Sequence, residues 1–198
     1  MSAHRDLNAL LGSRICHDLI SPLGAIGNGV ELLSMSPAGS SPEIALIAES
    51  VENANARIRY FRVAFGAAST EANLGRAEIV DILTDLTRGG RIGIEWNAAG
   101  ALARGEVKLA FLVILCLETA MPWGGQIHVS TDDKRWFLGA TAERLKVDPE
   151  LWELMANPCA DVEVTSALVQ FALVPETARA IGRSLRTDIR DNYINVSF

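Results

Sequence analysis

His17 is followed directly by Asp18, and Pro22 stands five residues on, within Cys16-His17-Asp18-Leu19-Ile20-Ser21-Pro22-Leu23. Apolar residues around this segment recur at helical spacing, so the imidazole and its neighbouring carboxylate sit on a helix. A histidine so placed can accept a phosphoryl group, which requires an unprotonated ring nitrogen and in-line access and little else, because the transition state is loose. Asp18 can orient the ring or accept its proton. As the adjacent residue it also points about 100° away around the helix, which leaves a solvated charge as the alternative. His17 itself has a plainer reading, since a lone exposed helical histidine is more often a surface residue than a reactive one.

The element that must carry these residues runs from about residue 3 to residue 34. Its apolar row is Cys16, Leu19, Leu23, Ile26, Val30 and Leu33, and His17 falls roughly 150° from the centre of that row. The imidazole is therefore expected to face solvent. Ser13, Ser21, Gly24 and Asn28 share its side, small enough to admit another protein, and Arg14 joins them as an expected partner contact. Pro22 removes one backbone hydrogen bond, which frees a carbonyl near His17 and favours a bend.

Met35-Ser36-Pro37-Ala38-Gly39-Ser40-Ser41-Pro42 is a turn, with Ser41 and Pro42 as the start signal of a second helix. There Ile44, Ile47, Val51, Ala54, Ile58, Phe61 and Phe65 alternate by three and four, the pattern of a bundle seam. Two helices joined by a short turn form an antiparallel hairpin. Its apolar seam needs a cover, either a second copy giving a four-helix bundle or the C-terminal half of the same chain. Arg57, Arg59 and Arg62 lie beside the seam; they make a solvated face or, as a group, a surface for an acidic partner.

Gly66 to Gly75 is small and polar and marks a boundary, dividing the chain into residues 1–68 and 76–198. Beyond it the pattern is mixed. Helices are predicted near 77–88, 105–121, 149–156 and 165–182, and strands near 91–96, 126–131, 134–141, 184–189 and 193–198. The whole reads as α+β, a helical hairpin followed by an α/β sandwich.

His17-Asp18-Leu19-Ile20-Ser21-Pro22-Leu23 resembles the H-box of bacterial sensor histidine kinases, which runs His, acidic, Leu, two variable residues, Pro, Leu. Arg14-Ile15-Cys16, Ala25-Ile26 and Arg62-Val63-Ala64-Phe65-Gly66-Ala67 are similar to one subgroup, the ChpT-like histidine phosphotransferases of alphaproteobacteria. This resemblance implies a dimeric hairpin bundle followed by a degenerate ATPase-like domain. It also implies phosphate relay between receiver domains of response regulators and of a hybrid histidine kinase. His17 is then the phosphoryl acceptor, the chain holds no cofactor of its own, and magnesium arrives with the receiver.

Residues 111–129 resemble the N-box helix and following strand of a kinase ATPase domain, but Leu115 and Thr119 occupy positions where a working kinase has asparagine or its equivalent. No Asp-x-Gly-x-Gly follows Gly125, and no Walker loop occurs. Without glycine-rich turns or metal-holding side chains for nucleotide phosphates, ATP binding and hydrolysis are not expected. The competing readings are an ATP-dependent kinase core and a non-catalytic dimeric scaffold.

The remaining features point to packing. Trp96, Trp123, Trp136 and Trp152 read as core or edge residues, and His128 as a water-facing strand residue rather than a metal ligand. His4, near the end of the chain, carries no argument. The three cysteines lack metal-ligand spacing. A net charge of −6, from 24 acidic and 18 basic residues, argues against nucleic acid or an anionic membrane as partner. No signal peptide or membrane span is evident, so a cytoplasmic location is expected.

Overall fold

Four glycines and Pro22 make the first helix a poor one by intrinsic propensity, at roughly 1 kcal/mol lost per glycine. In the computed structural model it nevertheless runs unbroken as α1, Leu7–Met35, because tertiary packing supplies what propensity lacks. The structure describes residues 7–35, 41–66, 73–132, 135–157, 160 and 162–198. His4, Cys159, most of the hairpin turn and most of the 66–75 boundary lie outside those residues, as do the side chains of Ser13 and Cys16.

The antiparallel partner is α2, Ser41–Ala64, which packs along α1. The rest of the chain forms β1 (Asn73–Gly75), α3 (Arg76–Thr87), β2 (Ile92–Trp96), β3 (Ala101–Ala103), α4 (Arg104–Ala120), β4 (Gly125–Asp132) and β5 (Arg135–Thr141). It continues through α5 (Pro149–Ala156), a 3₁₀ turn (Ser166–Leu168), α6 (Val169–Ala180), β6 (Arg186–Arg190) and β7 (Tyr193–Ser197). Five strands make one sheet in the order β2-β4-β5-β7-β6, parallel only between β2 and β4. β1 and β3 form a separate antiparallel ribbon. Inward residues alternate along β4 and β5 as a half-buried sheet requires. α4 is apolar on nearly every side and is buried from Val107 to Leu117 except at Lys108.

One of the two expected covers, the C-terminal half of the same chain, takes part of the hairpin seam. Toward its C-terminus α2 packs on α3 and α4, burying Ala54, Tyr60, Phe61, Val63 and Ala64. Tyr60 stacks on Phe111 with ring centroids 4.6 Å apart, and its hydroxyl donates to the Phe111 carbonyl at 2.7 Å. Lys108 and Arg104, at the start of α4, donate to the carbonyls of Gly66 and Arg62 where α2 ends, cations at the negative pole of the helix. Toward the hairpin turn the seam is uncovered. Leu23 and Val30 are 59% and 54% exposed, and Ile44, Val51 and Ile58 are exposed with them.

Two sequence expectations need correction. Trp96, Trp136 and Trp152 are buried, but Trp123 is half exposed, with the Arg144 guanidinium 4.3 Å above its ring; it follows Pro122 on a turn that lies outside the core. The arginines of α2 do not form a free cationic set. Arg59 pairs with Asp85 of α3 at 2.6 Å and Arg57 pairs with Asp18, because the sandwich and α1 both bring carboxylates to this helix.

Candidate functional site

α1 places His17 on its open side, with the side chain 78% exposed. Asp18 is not the solvated charge of the alternative reading: its side chain is only 9% exposed and one oxygen lies 3.1 Å from His17 Nδ1. A helical wheel tracks Cα directions only, and the aspartate side chain bends back far enough to reach the adjacent ring. The other Asp18 oxygen accepts from Arg14 Nε at 2.9 Å and lies 3.6 Å from an Arg57 guanidinium nitrogen. Arg14 also donates to the Ala167 carbonyl of the 3₁₀ turn.

These contacts set the chemistry of the ring. A carboxylate accepts hydrogen bonds and cannot donate them, so in the neutral ring Nδ1 carries the proton and Nε2 the lone pair. Two guanidiniums hold Asp18 in place, one from its own helix and one from across the hairpin. Pro22 has no N–H, so the Asp18 backbone carbonyl lacks its helical donor.

Around the ring the surface is open. Ser21, Gly24 and Asn28 are exposed, and a Cβ added at Gly24 or Gly27 would meet nothing within 4 Å. Arg14, expected as a surface contact, is turned inward and only 16% exposed. A cleft of about 470 Å³ exists elsewhere, lined by Arg91, Trp123, Gly124, Gly125, Glu143 and Arg144 of the sandwich. His128 faces solvent on β4, 2.8 Å from Glu95, and Asn97 and His128 hold that carboxyl below its ordinary range. Among the described residues no group of three or more His, Cys, Asp or Glu could hold a metal ion, and no helix is long and apolar enough to cross a membrane.

A family model described as the histidine phosphotransferase C-terminal domain matches residues 76–193. The chain belongs to the histidine phosphotransferase family. The protein phosphotransferase ChpT of Brucella abortus (strain 2308) is 36% identical to this phosphotransferase over 171 residues, 83% of this chain and 81% of that one. A solved bacterial phosphotransferase superposes with a TM-score of 0.84 at 31% identity, covering 100% of this chain and 97% of the other.

Two partners of the site were missed in the sequence. Arg57 had a signal: residues 18 and 57 are equidistant from Pro37-Ala38, so an antiparallel hairpin sets them opposite each other. Glu118 of α4 had none. It is partly buried, its carboxyl is pushed up to about 7 by burial, and Arg57, Arg14 and Asp18 all act on it.

Proposed function

We propose that His17 Nε2 takes a phosphoryl group from the aspartyl phosphate of one receiver domain and yields it to the aspartate of another. One observation carries the reading. Asp18 engages Nδ1 and leaves Nε2 of a 78% exposed ring facing solvent. In the forward step the Nε2 lone pair attacks phosphorus as the bond to the aspartyl oxygen breaks. The donor leaves as a carboxylate, and the Nδ1–H stays in place. The ring gains positive charge, and Asp18 offsets it. Transfer to the second receiver runs the same bonds in reverse.

The partners of this reading are receiver domains of response regulators and of a hybrid histidine kinase, in the cytoplasm. The receiver brings the divalent cation along with its aspartate. The open surface around Ser21, Gly24 and Asn28 suits a protein partner better than a small molecule, because the ring stands 78% exposed on it. The exposed apolar residues Leu23, Val30, Ile44 and Val51 favour a homodimer joined through the hairpins. ATP has no part in the reading: Leu115 is buried among apolar neighbours, and the Thr119 hydroxyl is spent on the Leu115 carbonyl at 2.8 Å.

The experiment is transfer of labelled phosphate from a charged receiver domain to the full chain and to His17→Gln. The reading expects label on the first and none on the second; equal labelling of both refutes it. Calorimetry with magnesium ATP is expected to give no binding heat, and saturable binding would favour a kinase core instead.

A further inference from the structure

Among the described residues no hydrogen bond or ion pair runs directly from the sandwich to the imidazole; the ring's one such partner is Asp18. Arg14 joins the two indirectly. It lies one helical turn before Asp18, and its Nε donates to an Asp18 oxygen at 2.9 Å. Its Nη1 donates to the Ala167 carbonyl. Ala167 belongs to the 3₁₀ turn Ser166–Leu168, which leads straight into α6, and turn and helix both pack along α1. The sandwich fixes that turn in its own right. Leu168 N donates to the Thr165 carbonyl at 3.0 Å, and Val169 and Phe171, which follow, are buried in the core. A chain of hydrogen bonds therefore runs from the sandwich backbone through Arg14 and Asp18 to His17 Nδ1. Arg57, the other cation on Asp18, stands farther off at 3.6 Å and is 45% exposed.

We propose that Arg14 is a positioning residue for the transfer step, through which the sandwich holds Asp18 against Nδ1 and keeps the lone pair on Nε2. The proposal rests on His17 being the phosphoryl acceptor. Adjacent residues diverge by about 100° around a helix, so nothing local turns the Asp18 carboxylate toward the ring. Arg57 can balance its charge, but balance alone does not set its direction. A guanidinium is a rigid plane with donors on more than one edge, so the bond to Ala167 fixes where Nε points. Nε in turn fixes one Asp18 oxygen, which leaves the other on Nδ1. A lysine at this position keeps the positive charge but carries it as a point on a flexible stem. The sandwich thereby has a task that needs no nucleotide: its backbone aims an arginine of the hairpin.

The test uses the full chain as wild type, Arg14→Lys and Arg14→Gln. Imidazole ¹⁵N shifts at about pH 8.5, where the ring is neutral, report the fraction of His17 protonated on Nδ1. Potassium phosphoramidate, a small donor that needs no receiver, reports the rate of His17 phosphorylation. Both variants are expected to lose Nδ1–H fraction and to react about tenfold more slowly. A lysine variant equal to the wild type shows that charge alone suffices and overturns the proposal. So does a slower rate with an unchanged tautomer, the mark of a merely structural role. The share of the sandwich is tested by replacing the Ala167–Leu168 amide with an ester, which leaves every side chain in place and weakens the Ala167 carbonyl as acceptor. The Nδ1–H fraction is expected to fall there too, and an unchanged fraction overturns the link. One measurement needs no variant: the wild-type Arg14 Nε–H is expected to exchange slowly with water, and exchange at the rate of a free guanidinium overturns the proposal. Failure of wild-type His17 to take any phosphate overturns the acceptor reading instead, while the tautomer comparison still judges Arg14.

Discussion

Asp18→Asn removes a charge and keeps the shape of the side chain. The Asp18 oxygen facing Arg14 Nε at 2.9 Å and Arg57 at 3.6 Å must remain an acceptor. An asparagine therefore turns its carbonyl oxygen to the guanidiniums and its NH₂ to His17 Nδ1. That nitrogen must now accept, so the ring proton moves to Nε2 and the nucleophilic lone pair is lost. The 78% exposed ring can still rotate into water, so the loss is smaller than for an enclosed catalytic pair. We expect transfer to slow by about 10²-fold, or about 2.7 kcal/mol in the barrier. Receiver binding is expected to stay within about twofold, because Asp18 is only 9% exposed and offers a partner almost no surface. The assay is rapid-quench single turnover at increasing concentrations of charged receiver, which separates the maximal rate from the half-saturating concentration. A loss of less than about fivefold, or a loss confined to affinity, refutes the argument that Asp18 sets the tautomer.

Tyr60→Phe keeps the ring stacked on Phe111 but removes a buried donor to its carbonyl; denaturant unfolding is expected to show a loss of about 1 kcal/mol. Leu23→Glu puts a charge on the uncovered seam, and light scattering is expected to find a dimer for the wild type and a monomer for the variant. Glu118→Gln changes how stability depends on pH. Burial raises the folded-state value from 4.5 to about 7, so the wild type has the full contribution of this group below 4.5 and loses it as pH rises through about 7. The glutamine variant lacks that loss, so urea unfolding at about pH 5 and pH 8 is expected to show it gaining about 1–3 kcal/mol on the wild type between the two.

Elements with local signals were legible in the sequence. α5 runs over the predicted span because Asp148 caps it, accepting from Glu150 N at 3.1 Å, and Pro149 opens it. β1 and β3 escaped notice because Asn-Leu-Gly and Ala-Leu-Ala are too short to show alternation. The exposure of His17 followed from the wheel, since it depends on one helix alone. The setting of Asp18 did not, because it depends on Arg57 from another helix and on a side chain bending toward its neighbour. Glu118 was out of reach for the same reason. Nothing local in Leu117-Glu118-Thr119 tells that this carboxyl lies within the electrostatic influence of two arginines of the hairpin 60 or more residues earlier.

The central claim is that one ring nitrogen, His17 Nε2, carries the phosphoryl group. The direct measurement is ¹⁵N–³¹P NMR of the full chain, labelled in histidine and phosphorylated from a charged receiver. Coupling of phosphorus to Nε2 of His17 is the predicted result; phosphorus on Nδ1, on another residue, or absent from the chain contradicts the account.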